Sequence, residues 1–186
     1  MSTGSNTELE HTEVLRGKQN VMKVISDFIS SAGLRIDACV DDTGPSSIIE
    51  NERLMKLMID AKAMGVRFRY ITQITSRNIT YCKALMKIVD ALNHLDGIKG
   101  NLYLSEMVYL SSAVVHDKGK PADQIIYSNV QEIVQHQQYI FETLWHKSRP
   151  ARDKMLEIEN GGMIWGKNNS EGNGATFAFI LPAVIQ

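Results

Sequence analysis

The spacing of hydrophobic residues along the chain predicts alternating helices and strands. Apolar residues at helical spacing predict helices, and short runs rich in β-branched and aromatic residues predict strands. Helices are predicted over residues 9–33, 47–64, 75–96 and 130–149, and strands over 34–40, 66–72, 101–104, 107–116 and 124–127. Ser47 and Glu50 have the spacing of a capping box, and Thr75 or Ser76 can cap the third helix.

This order predicts an α/β fold with a mixed, largely parallel sheet between helices. The first strand connections are long enough for the crossovers that parallel neighbours require. In such sheets ligands bind beyond the carboxyl ends of the parallel strands. The ends of the first two strands carry Asp41 with Asp42 and Thr72 with Gln73, and His116 and Lys118 end a later strand. We therefore predict these six residues as ligand-binding residues.

The predicted elements beyond Pro150 differ from those before it, and the sequence pattern changes at Asn160-Gly161-Gly162. A short charged helix is predicted, followed by two strands joined by a polar loop, as in a β-hairpin. The predicted organisation is a flexible N-terminus (1–12), an α/β sensor domain (13–150), a helical linker (151–160) and a C-terminal hairpin (161–186).

Composition and charge add few constraints. The chain has 186 residues, 44% of them hydrophobic, and a formal net charge of -1, which favours neither nucleic acid nor an anionic membrane as a partner. Its start is polar, and the sequence contains no run of about 18 apolar residues that would predict a membrane span. We expect a soluble cytoplasmic protein.

Cysteine and histidine side chains are common ligands of metal ions and of haem iron. Cys39, Cys82, His94 and His116 are the candidate ligands of such a metal or haem site. Cys39 lies in an apolar strand and Cys82 on an apolar helix face, where a free cysteine behaves as a small hydrophobic residue. Two buried thiols and no metal are therefore the preferred interpretation.

The C-terminal hairpin carries the most specific motif. Gly161-Gly162-x-Ile164-Trp165, a polar loop, and Gly172-x-Gly174-Ala175-Thr176-Phe177 are similar to the last hairpin of the ATP-binding domain of sensor histidine kinases. The resemblance covers about 22 residues. It implies a nucleotide-binding remnant at Gly172, Gly174 and Thr176, with Thr176 closest to nucleotide.

The other parts of a histidine kinase are not recognisable in the sequence. His146-Lys147-Ser148-Arg149-Pro150 lacks the acid of the phosphoacceptor motif, and there is no asparagine-bearing magnesium helix or Asp-x-Gly-x-Gly loop. Phosphoryl transfer needs the metal, the phosphate cradle and the acceptor together. We expect no kinase activity from this chain and no cofactor, because ATP and Mg²⁺ would serve only an intact kinase.

The upstream part, roughly residues 14–159, resembles the sensing module of archaeal, thaumarchaeote-type histidine kinases. The similar segments are residues 36–41, 65–72, 81–86 and 94–101. The resemblance implies a truncated signal-sensing module of a two-component phosphorelay. It would bind a small-molecule or protein signal and form a homodimer through its last helix, and a response regulator would be a partner only of an intact kinase.

A second resemblance concerns His116-x-Lys118, followed after four residues by Asp123. This pattern is similar to the His-x-Lys-x4-Asp motif of phospholipase D enzymes, in which one histidine attacks phosphorus and a second copy protonates the leaving group. Ser128-Asn129 resembles the Gly-Ser-x-Asn element of that motif, although Tyr127 replaces its glycine. The alternative function is thus a phosphodiesterase that acts as a homodimer.

Two milder interpretations of this motif remain open. One is a non-catalytic, ligand-binding descendant of the phospholipase D fold, and the other is an ordinary polar hairpin turn. For residues outside the motif, Tyr139, Phe141 and Trp145 are predicted to lie in the core, and alternation predicts a solvated face for Arg67 and Arg69.

Overall fold

The computed structural model describes residues 9–112 and 123–160, and the backbone of two strands at 163–168 and 175–180. Eight strands form one sheet and two form a separate hairpin. The strands are β1 (Thr12–Arg16), β2 (Arg35–Val40), β3 (Arg67–Thr72), β4 (Ala91–His94), β5 (Leu102–Leu104), β6 (Tyr109–Ser112), β7 (Gln124–Ser128), β8 (Arg149–Pro150), β9 (Met163–Asn168) and β10 (Ala175–Ile180). The helices in these ranges are α1 (Lys18–Ser31), α2 (Gly44–Ile49), α3 (Glu52–Ala63), α4 (Ile79–Leu85), α5 (Gln131–Lys147) and α6 (Ala151–Glu159).

The large sheet has the strand order β1-β7-β6-β5-β2-β3-β4-β8. The pairs β2–β3 and β3–β4 are parallel, and the other pairs are antiparallel. The predicted mixed α/β fold is therefore confirmed, but its parallel part is confined to three strands, which is less than we expected. The register joins Val40 to Thr72 and Thr72 to His94, so the three parallel strands end at one edge of the sheet.

Hydrophobic side chains lie on both faces of this sheet, as expected for strands covered by helices on two sides. The larger core packs α1, α2, α3 and α4 against one face, and α6 contributes Ala151 and Met155 to it. The smaller core lies under α5 on the other face and contains Cys39, Ile71 and Phe141. The segment assigned to a helical linker thus buries apolar side chains in the main core.

The N-terminal region differs from the predicted first helix. Residues Thr12–Arg16 form the edge strand β1, antiparallel to β7, and α1 begins only at Lys18. Gly17 separates the two elements with a φ of 89°, a left-handed conformation that glycine adopts without steric cost. The prediction failed because β1 is almost wholly exposed and therefore lacks an alternating apolar pattern.

The second predicted helix is divided into α2 and α3. Asn51 lies between them, and its side-chain oxygen accepts a hydrogen bond from the Leu54 N–H at 3.1 Å, which caps α3. The predicted capping box at Ser47 and Glu50 is therefore wrong. The Ser47 hydroxyl instead donates to the backbone oxygen of Thr43.

The third predicted helix is also too long. Helix α4 ends at Leu85, and residues 91–94, predicted as helical, form β4. Asn78 precedes α4, and its side chain bonds back to the Thr75 N–H, so neither Thr75 nor Ser76 is the cap. Leu92 is buried in β4. An apolar residue at this position fits a buried strand and the last turn of an amphipathic helix equally well, so it did not distinguish the two.

Helix α5 is held on the sheet by a group of ionic contacts around Arg69. The Arg69 guanidinium donates to both carboxylate oxygens of Asp37, at 2.7 and 2.8 Å, and to Glu142 of α5 at 2.6 Å. Phe141 and Trp145 of α5 lie with their ring centroids 5.1 Å from the guanidinium carbon. The solvated face predicted for Arg69 is therefore wrong, because α5 covers it.

These contacts stabilise the ionised forms of both partners. The hydrogen bond to Asp37, more than any other contact, raises the pKa of Arg69 above its ordinary value. The hydrogen bond from Arg69 in turn lowers the pKa of Glu142.

The predicted core positions on α5 are partly confirmed. Phe141 is buried as predicted, whereas Tyr139 is 73% exposed, so its predicted core position is wrong. No helix in the described ranges is long and apolar enough to cross a membrane.

The predicted C-terminal hairpin is present as β9 and β10. The two strands are antiparallel, with Met163 opposite Ile180 and Lys167 opposite Thr176. Residues 172 and 174, predicted as part of the nucleotide-binding remnant, lie outside the described residues.

His94 is a buried polar residue at the end of β4. Its Nδ1 accepts a hydrogen bond from the Ile74 N–H at 3.0 Å, so the neutral ring carries its proton on Nε2. Nε2 lies 3.4 Å from the Asp96 carboxylate but without hydrogen-bond geometry, and within the described part of the chain it has no hydrogen-bond partner. Burial lowers the pKa of His94, helped by Lys154 and Arg149, while Asp96 acts in the opposite direction.

The Arg69 contacts predict a large loss of stability in Arg69→Ala. Asp37 is almost fully buried, and loss of its bidentate partner would leave that charge with Arg35 alone, whose Nε is 3.1 Å away. Breaking a buried pair costs about 3–5 kcal/mol, and the remaining Arg35 contact places this variant near the lower end. Urea unfolding followed by circular dichroism would measure the loss.

Arg67→Ala is the matched control, because Arg67 lies on the same strand and is exposed. It should change the free energy of unfolding by no more than about 0.5 kcal/mol. Equal losses in the two variants would contradict the role assigned to the Arg69 contacts.

His94 predicts a specific dependence of stability on pH. At pH values above the ordinary histidine pKa of 6.5, the ring is neutral in both the folded and the unfolded chain and contributes nothing to this dependence. Below it, the unfolded state takes up a proton that the folded state resists, so the free energy of unfolding falls as the pH falls. His94→Gln should therefore lose less stability than the wild type between about pH 7 and pH 5.

Urea midpoints at three pH values in this range would measure this difference. His136→Gln, at an exposed position of α5, should keep the wild-type slope. If His94→Gln and the wild type decline in parallel, burial of a neutral His94 is not the cause of the dependence.

Candidate functional site

The carboxyl ends of β2, β3, β4 and β6 meet at one edge of the sheet. β2, β3 and β4 are parallel, and β6 runs in the same direction because β5 pairs antiparallel with both β2 and β6. β5 and β7 begin at this edge. The predicted residues Asp41, Asp42, Thr72 and Gln73 all lie along it, immediately after or at the ends of β2 and β3.

Asp41 is fixed by a dense set of hydrogen bonds. Its Oδ1 accepts from the Thr43 N–H at 3.0 Å, the Thr43 hydroxyl at 2.7 Å and the Gly44 N–H at 3.1 Å. Its backbone oxygen accepts from the Thr72 hydroxyl at 2.9 Å, and its backbone N–H donates to Asn101 Oδ1 at 3.2 Å. The structure thus brings Asp41 and Thr72 together, but this carboxylate orders the turn before α2.

Asn78 joins the ends of β2 and β3. Its side-chain N–H groups donate to the backbone oxygens of Asp42 and Gln73, at 2.8 and 2.9 Å. The Asp42 carboxylate lies 3.6 Å from Arg77, and Gln73 Oε1 accepts from the Gly97 N–H at 3.3 Å. Gln73 therefore contacts the turn that leads from β4 to β5.

A pocket of about 380 Å³ lies at this edge, on the face covered by α5. Its apolar wall includes Leu144 of α5 and the neighbouring sheet residues Cys39 and Leu102, which pair across β2 and β5. Its polar wall is the turn 97–101 and the end of β6. The remaining lining residues are Gly97, Ile98, Lys99, Gly100, Asn101, Ser111 and Ser112. This volume falls within the range of small-molecule sites.

Asn101 connects the pocket to the residues predicted from the sequence. Its Oδ1 receives the Asp41 N–H, its Nδ2 donates to the Ser112 hydroxyl at 3.3 Å, and its backbone oxygen accepts from the Ser111 hydroxyl at 2.9 Å. Gly97 and Gly100 shape the turn with φ values of 78° and 79°, which favour glycine. The sequence prediction placed a connection here but did not assign it to the ligand site, although two glycines so close before a strand signal a constrained backbone.

The connection from β6 to β7 contains the His-x-Lys-x4-Asp pattern. His116 and Lys118 lie outside the described residues. Asp123 is described and exposed, directly before β7, and its backbone oxygen accepts from the Gly17 N–H at 2.7 Å. Because Ser112 pairs with Ile125, this connection leaves and re-enters the sheet beside the pocket.

Ser128 and Asn129 lie at the other end of β7. Ser128 is five positions after Asp123, which corresponds to about 17 Å along a strand. The Ser128 hydroxyl bonds to Thr12 at 2.8 Å, and Asn129 Oδ1 accepts from the His11 N–H at 2.7 Å. Both side chains therefore hold the outermost strand β1 in place, at the end of β7 opposite to Asp123.

The described cysteines do not form the metal or haem site considered above. Cys39 belongs to the core under α5 and Cys82 to the core on the other face of the sheet. Burial raises the pKa of each thiol to about 12, so neither is a ready thiolate ligand at neutral pH. Within residues 9–112 and 123–160, no group of three or more His, Cys, Asp or Glu side chains is arranged to hold a metal ion. His116 lies outside these ranges.

No protein-family model matches this sequence, and no curated protein matches it either. Nothing in these comparisons supports the histidine-kinase resemblance. Solved structures, by contrast, include several with a similar fold.

Nuc from Salmonella typhimurium, a phospholipase D family member, matches with a TM-score of 0.61 and 12% identity, over 76% of this chain and 98% of Nuc. NucT from Helicobacter pylori matches with a TM-score of 0.60 and 10% identity, over 76% of this chain and 99% of NucT. TrmBL2, an archaeal chromatin protein with a novel mode of DNA binding, matches with a TM-score of 0.57 and 16% identity. That match covers 78% of this chain but only 56% of TrmBL2.

At these identities the comparisons establish the fold alone. The open mixed sheet with helices on both faces is the common feature, and in Nuc and NucT almost the whole protein is matched. The chain has a phospholipase D-like fold.

Proposed function

We propose that this chain is a small-ligand-binding domain built on a phospholipase D-like fold, which serves as a signal-input module. The observation that supports this proposal is the pocket of about 380 Å³ between α5, the turn 97–101 and the end of β6. Its position beyond the carboxyl ends of parallel strands is the usual place for a ligand in an open α/β sheet.

The helix arrangement supports an input role for this pocket. Leu144 lines the pocket, and its helix neighbours Phe141, Glu142 and Trp145 contact Arg69 in the centre of the sheet. Helix α5 then leads through Pro150 to α6. A ligand that contacts Leu144 would therefore act on the helix that leads toward the C-terminal part of the chain. A connection to a histidine kinase rests only on the sequence resemblance.

Leu144→Trp tests whether the pocket binds ligands. The larger side chain would fill the cavity, whereas Tyr139→Trp, at an exposed position of the same helix, would not. In a thermal-shift screen of small metabolites, a saturating ligand at 100 times its Kd stabilises by about 2.7 kcal/mol. For a domain of this size we expect a Tm increase of roughly 5–10 °C in the wild type and Tyr139→Trp.

Leu144→Trp should show no such increase with the same compounds. Its circular dichroism spectrum and unfolding midpoint would establish that it is folded. If every stabilising compound acts equally on Leu144→Trp, the ligand does not occupy this pocket.

A second candidate is a phospholipase D-like phosphodiesterase acting through His116 and Lys118. The spacing of His116, Lys118 and Asp123 favours it, as does the near-complete match to Nuc. The chain contains one such motif, so attack by one histidine and protonation of the leaving group by another would require a homodimer. The similarity in fold to Nuc and NucT supports this candidate better than it supports a histidine-kinase sensor module.

Hydrolysis of bis-p-nitrophenyl phosphate separates the two candidates. A binding domain should release no p-nitrophenol above the buffer rate, and His116→Ala should leave this background unchanged. Hydrolysis that is lost in His116→Ala but kept in His136→Ala, a control at an exposed helix position, would establish the phosphodiesterase. A phosphohistidine trapped at His116 would identify the nucleophile.

A further inference from the structure

The pocket has an apolar end and a polar end. Cys39, Leu102 and Leu144 form the apolar end, and the first two pair across adjacent strands. The polar end is formed by Lys99 and Asn101 from the turn before β5 and by the hydroxyl-bearing residues at the end of β6. An occupant would therefore need both an apolar body and a polar group.

The charge of the lining is one-sided. Lys99 is the one charged residue among the ten described residues that line the pocket, and none of the ten is acidic. The Lys99 side chain is exposed, and within the described ranges no carboxylate pairs with it. Asp96, three residues earlier in the same turn, lies instead beside His94 at 3.4 Å.

The neutral polar groups are partly committed to the protein itself. The Ser111 hydroxyl donates its proton to the Asn101 backbone oxygen, so it can only accept from a ligand. The Asn101 side chain uses one N–H on Ser112 and retains a second. Lys99, with three donors and a positive charge, is therefore the strongest unused donor at the polar end.

We infer that the pocket binds a small organic anion, with an apolar body against Leu144 and its phosphate or carboxylate group at Lys99. This inference rests on the proposed binding function and names its ligand class. A neutral or cationic compound of the same shape would lack the charge-assisted contact with Lys99.

A matched series of benzene derivatives tests the charge requirement. Phenyl phosphate and benzoate carry the anion, benzamide is neutral, and benzylammonium is cationic. Isothermal titration calorimetry on the full chain at low salt should show both anions binding about fivefold or more tightly than benzamide, the effect of roughly 1 kcal/mol. Tighter binding of phenyl phosphate would indicate a phosphate ester as the ligand class, and tighter binding of benzoate a carboxylate.

Variants of Lys99 link the preference to this residue. Lys99→Gln should reduce anion affinity to that of benzamide, and Lys99→Arg should retain most of the preference because the charge is kept. Lys56→Gln is the matched control, since Lys56 is an exposed lysine on α3, against the other face of the sheet. Leu144→Trp should abolish binding of every probe.

Three results would overturn the inference. Equal binding of benzamide or benzylammonium, blocked by Leu144→Trp, would refute the anion class and leave the pocket as a ligand site. Anion binding that survives Lys99→Gln unchanged would refute the placement of the charge. No binding of any probe at millimolar concentration would refute the inference too, and the metabolite screen with Leu144→Trp would then decide the binding function separately.

Discussion

The arrangement of this domain depends on the contacts of Arg69. Its guanidinium bonds to the buried Asp37 in the neighbouring strand and to Glu142 of the covering helix, and the rings of Phe141 and Trp145 lie close to it. A buried ion pair contributes little net stability, since desolvation offsets most of the attraction. Its consequence here is geometric, because a planar group with fixed donor directions admits one position of α5 over the sheet.

That position of α5 creates the pocket. Leu144 lies one helical turn after the Phe141 contact and closes the apolar wall against Cys39 and Leu102. The opposite wall depends on the turn 97–101, which is tied to Asp41 through Asn101 and to Gln73 through Gly97. Asp41 and Gln73, which were predicted to bind ligand, thus hold this turn in place, while the pocket is lined by residues of α5, β2, β5, β6 and the turn itself. The Asp41 carboxylate does not line the pocket because it accepts hydrogen bonds from the backbone of the turn that it orders.

The sequence predicted the fold class, the strands β2, β3, β5 and β7, helix α5 and the C-terminal hairpin, because each combines a clear apolar period with a turn signal. It failed at β1 and β4. β1 is exposed and has no buried face to mark it, and β4 is a four-residue strand directly after an amphipathic helix. The position of Arg69 was also beyond the sequence, since alternation places a residue on a face without telling what covers that face. The helix that covers it lies about 70 residues later in the chain.

The register of β7 limits which residues of the His-x-Lys-x4-Asp pattern and its Ser-Asn element lie close together. As a linear pattern, His116, Lys118, Asp123, Ser128 and Asn129 resemble one catalytic motif of the phospholipase D family. In three dimensions β7 separates Asp123 from Ser128, and the last two residues bond to the edge strand β1. Catalysis requires its groups within hydrogen-bond reach of one substrate, so Asp123 and Ser128, at the two ends of β7, cannot contact one substrate together. A fold shared with Nuc does not determine the chemistry at its strand ends. The pocket there offers one lysine, hydroxyls and apolar side chains to a ligand, and the phosphodiesterase alternative depends on His116 and Lys118 in the connection that follows β6.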